Sequence, residues 1–382
     1  MGLNFMNTAS TRSDDQNPSA LEERLKRVIA QRGPIYIADY MADALTHPHD
    51  GYYMNEVALG KDGDFITAPE VSQLFGELIG LWLVEAWHNL GSPEQFNLVE
   101  LGPGRGVLMD DILRVARLRP AFLKAVRITL VEMSGRLRHE QQKRLKRHHD
   151  VDVNWADSFE DCPGGPLLIV ANEFFDCMPI QQFIKTKLGW HERIVGLDPV
   201  EDVLKFDKTP APLLLDHPLA VDAPIDSIIE HSAGAMQLSA KISKRLCEFS
   251  GRALIIDYGP WSSGYGDTFQ GVRDHEFWPP LKSPGKADLT AHVDFQRLAD
   301  ASLHEGADCF GPVSQGQFLS ELGLHHRVNA LSQGKSPEEQ TAIHHGAHRL
   351  TDPSQMGELF KVLCLSSPGL EPPAGLSAKE AK

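Results

Sequence analysis

Apolar residues recur at steps of three and four along much of the chain, the spacing that places side chains on one face of a helix. This spacing predicts helices over 21–31 and 37–45, and a longer helix over 70–90 that Gly91, Ser92 and Pro93 end. The apolar face of the longer helix would carry Val71, Leu74, Phe75, Leu78, Ile79, Trp82 and Ala86. Residues 47–70 are instead rich in Gly, Pro, Asp and aromatic residues, which indicates a long ordered loop.

From residue 97 the chain alternates short apolar strands with helices. The predicted strands are 97–101, 126–131, 151–155 and 166–171, and the helices between them are 105–117 and 134–147. The fourth strand is apolar throughout, as buried parallel strands usually are. This alternation is typical of a parallel sheet with right-handed crossovers. The sequence therefore predicts a doubly wound α/β core.

The pattern changes after residue 179, where a hairpin of strands at 182–187 and 190–195 is predicted. A proline-rich stretch at 199–224, a helix at 235–249, a buried strand at 253–258, two short helices at 292–301 and 315–322, and a last strand at 359–365 follow. Since 382 residues exceed one typical domain, we expect a core at 21–176, 251–260 and 352–365 and an inserted cap lobe at 177–250 and 261–351. Residues 1–20 and 366–382 are predicted to be disordered tails.

Composition narrows the class of protein. The formal net charge of -15 argues against a nucleic-acid binder, which needs a dense basic surface. Five scattered cysteines and several histidine pairs lack the spacing of metal ligands, so we predict no metal site. No apolar run reaches the length of a membrane span. The first residues lack the apolar stretch of a signal peptide, and Asp14 and Asp15 disfavour a mitochondrial presequence, so we expect neither. We expect a cytoplasmic protein without membrane insertion.

The sharpest chemical signal is a glycine-rich turn between the first strand and its helix. Gly102, Gly104 and Gly106 form a G-x-G-x-G pattern preceded by Glu100. A dinucleotide fingerprint would read G-x-G-x-x-G and seat a pyrophosphate at the helix start. A carboxylate at Glu100 would repel a pyrophosphate but could attract the amino group or sulfonium of S-adenosylmethionine. The alternative is a tight strand-to-helix turn that binds no ligand.

Two further acidic residues follow the next strands. Glu132 ends the second strand, where a carboxylate can accept hydrogen bonds from both ribose hydroxyls; otherwise it is a solvent-facing strand end. Asp157 follows the third strand and could accept a hydrogen bond from an adenine amino group. It could equally cap the short helix or turn that comes next.

The fourth strand ends in a segment that combines an amide, two carboxylates and two aromatic rings. Asn172, Glu173 and Asp176 should lie beside the glycine turn, because ligands of doubly wound folds bind at the carboxyl ends of the strands. They would suit a cationic acceptor nitrogen such as a guanidinium, which carboxylates grip through parallel hydrogen bonds. In the competing interpretation, Phe174 and Phe175 pack in the core and Glu173 forms a structural ion pair.

Several motifs together resemble the MidA-like family of class I S-adenosylmethionine-dependent methyltransferases. They are GDFITAPE at 63–70, VELGPGRG at 99–106, VEMSGRLR at 131–138, ANEFFDCMP at 171–179, IIDYG at 255–259, Gly266 to Thr268, DLTAHVDF at 288–295, Ser314 to Gly316 before Phe318 and Leu319, and MGELFKVL at 356–363. The resemblance implies a mostly parallel seven-stranded Rossmann-like sheet with a large α+β cap lobe. It also implies S-adenosylmethionine as the cofactor.

By this resemblance the three glycines form the cofactor loop, Glu132 holds the ribose, and Asn172, Glu173 and Asp176 lie at the acceptor site. The 64–70 loop, with Thr67 and Pro69, would close over the cofactor. Mitochondrial members of the family assist assembly of respiratory complex I by dimethylating an arginine of one of its subunits.

The hypothesis is therefore a protein arginine N-methyltransferase with a protein substrate, a complex I subunit being one candidate, and a homodimer as one possible assembly. The absence of a presequence favours a bacterial cytoplasmic member, and a mitochondrial matrix location would require a presequence missing from this chain. Three alternatives remain at this point: a small-molecule methyltransferase, a nicotinamide-dependent oxidoreductase, and a non-catalytic assembly factor that retains the fold.

Overall fold

A computed structural model of the protein describes residues 19–55 and 67–376. Within these ranges the helices are α1 (Ala20–Arg32), α2 (Ile37–Thr46), α3 (Tyr52–Asn55), α4 (Ala68–Val71), α5 (Gln73–Asn89), α6 (Val107–Ala116), α7 (Pro120–Ala125), α8 (Gly135–Leu145), α9 (Ala233–Phe249), α10 (Phe295–His304), α11 (Gln315–Glu321), α12 (Leu324–Ser332), α13 (Pro337–Thr351) and α14 (Met356–Leu359). The strands in the same ranges are β1 (Ile35–Tyr36), β2 (Phe96–Leu101), β3 (Val126–Val131), β4 (Val153–Ala156), β5 (Leu167–Asn172), β6 (Gln181–Thr186), β7 (Gly189–Leu197), β8 (Leu204–Lys208), β9 (Ile228–His231), β10 (Gly251–Tyr258), β11 (Gln270–Arg273), β12 (Glu276–Trp278), β13 (Asp288–Thr290), β14 (Asp308–Ser314) and β15 (Phe360–Ser366).

A seven-stranded sheet in the order β14-β15-β10-β5-β2-β3-β4 forms the centre of the molecule. The five strands from β10 to β4 pair in parallel, whereas β15 runs antiparallel to both β10 and β14. The strand order reverses between β2 and β5, so their carboxyl ends border the crevice where doubly wound folds bind ligands. This sheet confirms the predicted α/β class.

Both faces of the sheet are covered by helices. Alternate residues along each strand point to opposite faces, so Leu98 belongs to an apolar cluster with α5 and α6, whereas Val99 belongs to a cluster with α9 and α10. The helix predicted over 70–90 is divided at Ser72, whose hydroxyl accepts a hydrogen bond from the N–H of Leu74 and so caps α5. The division turns α4 toward the crevice.

The second lobe is built on a five-stranded sheet containing β1, β6, β7, β8 and β9, and on a three-stranded sheet of β11, β12 and β13. The N-terminal helices pack with this lobe, which corrects their predicted place in the core. The physical reason is a long-range pairing: β1 follows α1 directly and pairs antiparallel with β7, where Ile35 lies opposite Val195. Pairing at this edge brings the apolar faces of α1 and α2 against the lobe.

Two other predicted boundaries are wrong. Strand β14 lies in the central sheet although its residues fall within the predicted cap range 261–351. Residues 367–376 pack on the core instead of forming a disordered tail: Leu376 is 6% exposed and the carbonyl of Ala374 accepts a hydrogen bond from Trp82 Nε1 at 3.1 Å. Residues 1–18, 56–66 and 377–382, with the remaining predictions made for them, lie outside the described ranges. Among the described helices, none combines the length and apolar character that crossing a membrane requires.

Candidate cofactor and acceptor site

A cavity of about 470 Å³ opens at the carboxyl ends of β2, β3 and β5. Ten of the residues predicted from the sequence line it: Thr67, Pro69, Glu100, Gly102, Gly104, Glu132, Asp157, Asn172, Glu173 and Asp176. The eleventh, Gly106, is the N-terminal cap residue of α6 and directly precedes its first residue. The structure thus brings together residues from five separate segments of the chain.

The glycine turn requires the absence of side chains. Gly102, Gly104 and Gly106 have φ values of 64°, 52° and 75°, in the left-handed region that favours glycine. A Cβ atom on Gly102 would lie 2.6 Å from Cδ2 of Phe174, which is closer than nonbonded carbon atoms approach. Because Phe174 follows β5, the turn and the predicted acceptor segment are in direct contact.

Glu132 is held in place at the end of β3. Its Oε1 accepts a hydrogen bond from the N–H of Ser134 at 2.8 Å, and its Oε2 accepts one from Gln141 Nε2 at 3.2 Å. Each carboxylate oxygen keeps acceptor capacity for a ribose hydroxyl. Burial raises the pKa of Glu132, against the effect of these hydrogen bonds.

Glu100 and Asp157 differ in their surroundings. Glu100 is buried, its Oε2 has no hydrogen-bond partner among the described residues, and burial raises its pKa to about 8. A cationic group of a ligand would satisfy this oxygen. The side chain of Asp157 is 81% exposed and pairs with Arg138 at 2.5 Å. The following short helix is capped by Ser158, which removes the capping role considered for Asp157.

The acceptor end of the cavity follows β5. Oε1 of Glu173 accepts hydrogen bonds from the N–H of Ala68 at 2.9 Å and from Asn172 Nδ2 at 3.0 Å. Oε2 of Glu173 and Oδ1 of Asn172 are buried and have no hydrogen-bond partner within residues 19–55 and 67–376. Burial raises the pKa of Glu173 to about 8, and the neighbouring carboxylate of Asp176 adds to the rise.

Asp176 is buried nearby, and its own pKa is raised well above the ordinary value by burial and by two further carboxylates, Asp257 and Asp288. Of the two phenylalanines, Phe174 lines the cavity and Phe175 packs in the apolar core. The structural ion pair considered for Glu173 is not formed, since no described cation lies within ion-pair distance of it.

Sequence reasoning did not single out Tyr53 and Asp288, which line this wall, whereas Glu70 belongs to the loop predicted to close over the cofactor. The hydroxyl of Tyr53 donates to Oδ1 of Asp288 at 2.8 Å. Tyr53 lies in the segment predicted as a loop, and Asp288 opens one of the motifs of the family resemblance, but neither position has a periodicity that indicates a site. Only the approach of the second lobe to the crevice places them there.

Comparison with known proteins identifies the family. The family model described as "Putative S-adenosyl-L-methionine-dependent methyltransferase" matches residues 78–313. The mitochondrial protein arginine methyltransferase NDUFAF7 of Xenopus tropicalis is 37% identical over 371 residues, which cover 91% of this chain and 86% of that protein. Its human counterpart is 35% identical over 378 residues, covering 92% and 84%. The chain belongs to this methyltransferase family.

A solved structure agrees with this assignment. The crystal structure of a Burkholderia thailandensis protein with bound S-adenosyl-homocysteine has a TM-score of 0.81 and 26% sequence identity to this chain, and the match covers 93% of this chain and 94% of that protein. The cofactor of this methyltransferase is S-adenosylmethionine, as predicted. The nicotinamide alternative is therefore rejected. The side-chain-free turn at Gly102, the acceptor capacity of Glu132 and the unpartnered oxygen of Glu100 fit that cofactor.

Proposed function

We propose that this methyltransferase transfers a methyl group to a guanidinium nitrogen of an arginine in a protein substrate. The observation that carries the proposal is a pair of buried, unpartnered acceptor atoms, Oε2 of Glu173 and Oδ1 of Asn172, at the acceptor end of the cavity. Buried polar atoms are nearly always hydrogen-bonded, so two adjacent exceptions point to a ligand that donates hydrogen bonds. A guanidinium offers five donors in one plane.

The charge of the wall supports the same acceptor. Glu173 and Asp176 raise each other's cost of ionisation, and Glu70 adds a third carboxylate that acts on Glu173. An arginine side chain entering this end would supply the positive charge that favours the ionised carboxylates. A neutral acceptor would leave that charge unbalanced.

Bound S-adenosylmethionine supplies an electrophilic methyl group on a sulfonium, so the chain needs mainly to align the acceptor. Glu173 would orient the guanidinium through Oε2, while its Oε1 remains fixed by the N–H of Ala68. Because the guanidinium is protonated at all ordinary pH values, one proton must leave around the transfer step. Glu173, with its pKa near 8, is suited to accept that proton at Oε2.

The names of the relatives motivate the choice of a protein arginine. We propose a subunit of respiratory complex I as the first acceptor protein to test, as the family resemblance implies. A homodimer and a cytoplasmic location are also proposals. The relatives are named as mitochondrial, so fractionation of the source cells would decide the location.

The test uses purified full-length protein, S-adenosylmethionine with a labelled methyl group, and cell extract or a purified complex I subunit as acceptor. Peptide mass spectrometry should locate the label on arginine, and replacement of that arginine by lysine should abolish incorporation. Label found only on lysine would overturn the arginine proposal, and label found only in the small-molecule fraction would overturn it in favour of the small-molecule alternative. A wild-type enzyme that binds cofactor but never labels an acceptor would favour the assembly-factor alternative.

A further inference from the structure

The turn that carries Glu173, residues 173–176, is held from behind by a carboxylate of another strand. Asp257 lies near the end of β10 and is fully buried. Its Oδ2 accepts hydrogen bonds, at 3.1, 2.9 and 3.2 Å, from the backbone N–H groups of Phe174, Phe175 and Asp176. Its Oδ1 accepts a hydrogen bond from the N–H of Tyr258 at 2.9 Å. One side chain therefore accepts hydrogen bonds from three successive N–H groups of the turn.

The turn needs such a partner. Glu173 has a φ of 51°, a conformation that residues other than glycine rarely adopt. Its own N–H donates to the carbonyl of Ile256 at 2.9 Å, the last bond of the strand pattern between β5 and β10. Beyond this point the chain leaves the sheet, and its next three N–H groups would be buried without an acceptor if Asp257 were absent. A strained backbone conformation persists only where several surrounding contacts hold it in place.

Asp257 acts on the site without lying in it. Its side chain does not line the cavity formed by the described residues, and its hydrogen bonds all come from backbone N–H groups. Burial raises the pKa of Asp257 to about 7, and the carboxylate of Glu173 adds to the rise. Two carboxylates that interact in this way affect each other reciprocally. A substitution of Asp257 should therefore affect Glu173 in two ways, through the conformation of the backbone turn and through the electrostatic effect on the pKa of Glu173.

We propose that Asp257 is a positioning residue for methyl transfer, which fixes the 173–176 turn so that Oε2 of Glu173 and Oδ1 of Asn172 face the acceptor. The assignment of an acceptor to this end of the cavity rests on the proposed function. The geometry of the turn does not depend on which acceptor binds. Asp257 thereby links the end of β10 to the reaction although it contacts neither cofactor nor acceptor.

The test compares full-length wild type with Asp257→Ala and Asp257→Asn. Hydrogen–deuterium exchange of the amides at 174–176 should be at least about tenfold faster in the Ala variant, because these groups lose their acceptor. Affinity for S-adenosyl-homocysteine should stay within about threefold of wild type, since the glycine turn keeps its own backbone hydrogen bonds, from the N–H of Gly102 to Val131 and from the N–H of Gly106 to Pro103. Methyl transfer should fall by about 100-fold, the effect expected when a reacting group is misplaced by about 1 Å.

The Asn variant separates positioning from general stability. Its amide oxygen can still accept the three N–H groups, so exchange and transfer should recover in part. Loss of the charge should also lower the pKa of Glu173 and move the acid limb of the pH–rate profile to lower pH. Asp294→Asn is the matched control: Asp294 caps α10 by accepting the N–H of Arg297 at 3.0 Å, and its replacement should alter neither exchange at 174–176 nor transfer.

Unchanged exchange at 174–176 in the Ala variant would overturn the proposal whatever the acceptor proves to be. Cofactor binding that falls in proportion to transfer would also overturn it, because Asp257 would then support the whole site and not the turn. Should the Ala variant fail to fold, the same comparisons apply to the Asn variant. A wild-type enzyme that never methylates arginine would refute the proposed function, while the exchange measurement would still decide the role of Asp257.

Discussion

Replacing Glu173 by glutamine changes one oxygen of the acceptor site and little else in the structure. The amide oxygen of Gln can keep the two hydrogen bonds that Oε1 accepts from Ala68 and Asn172. The amide nitrogen then occupies the place of Oε2, the oxygen without a partner. A donor group would face the donors of an incoming guanidinium, and the negative charge would be lost.

The size of the effect on transfer follows from these two losses. A hydrogen bond to a charged group contributes about 1.5 to 3 kcal/mol, which is roughly 10- to 150-fold in rate. Loss of a general base typically costs a further 10²–10⁴-fold. We expect methyl transfer to fall by at least about 100-fold while affinity for S-adenosyl-homocysteine, measured by calorimetry, stays within about threefold. Transfer near the wild-type rate would remove Glu173 from the mechanism.

Although Glu173→Gln should lose activity, it should gain stability at high pH. Because burial raises the pKa of Glu173 from 4.5 to about 8, folding favours its neutral form. The stability of the wild type that comes from this group is present below pH 4.5 and is lost as the pH rises through 8. Glutamine cannot ionise, so Glu173→Gln should be more stable than wild type at pH 9, by up to about 5 kcal/mol, and nearly equal to it at pH 4.5.

The matched control is Glu77→Gln, which neutralises another buried glutamate. Glu77 forms ion pairs with Arg114 and with Arg327, the second at 2.5 Å. Removing its charge leaves two guanidinium groups against a neutral amide and should destabilise the fold by about 1 to 3 kcal/mol, because breaking a buried pair is costly even when its partners are partly exposed. Transfer should be unaffected. The free energy of unfolding of both variants can be measured by urea denaturation at pH 9. If both variants were destabilised alike relative to wild type, the charge argument for Glu173 would be refuted.

Three smaller changes test other parts of the site and fold. Gly102→Ala should reduce binding of S-adenosyl-homocysteine at least about tenfold in calorimetry, because its Cβ would collide with Phe174 and φ is 64°; unchanged binding would contradict the close approach. Asp157→Ala should change the same affinity by less than about threefold, since its exposed pair with Arg138 contributes little, and a larger loss would establish the adenine contact. Leu376→Ala should lower the free energy of unfolding by about 2 to 3 kcal/mol in urea, whereas no change would mean that this end does not pack on the core.

The sequence was sufficient to predict the elements whose residues obey one simple period. Strand β3 has the predicted bounds because all but one of its residues are buried and most of them are apolar. The glycine turn could be located because its conformation demands glycine. The acidic residues after β3 and β5 could be assigned to one site because the carboxyl ends of parallel strands lie at the same edge of the sheet. Such features depend on the local chain alone.

Other features depend on contacts that no local pattern records. Strand β14 was missed because Gly311 and Pro312 interrupt it, where a bulge shifts its pairing with β15. The place of α1 is decided by the pairing of β1 with a strand about 160 residues later in the chain. Asp257 stands in a strand of mostly apolar residues, and its role becomes visible only when the turn after β5 is placed against it.

On the proposed function, the arrangement of charge would let one cavity bind two cationic groups, the sulfonium of the cofactor and the guanidinium of the acceptor. Glu100 lies at the end of β2 and Glu173 after β5, and each has a buried oxygen without a partner in the described ranges and a pKa near 8. Either group is therefore partly protonated near neutral pH in the empty site and becomes ionised when a cation binds beside it. Binding at each end must release protons and strengthen as the pH rises. On the proposed function, an arriving guanidinium would ionise Glu173 and leave this carboxylate able to accept the proton that transfer sets free. The desolvation that disfavours the ionised carboxylate in the empty site would then prepare the site for the reaction.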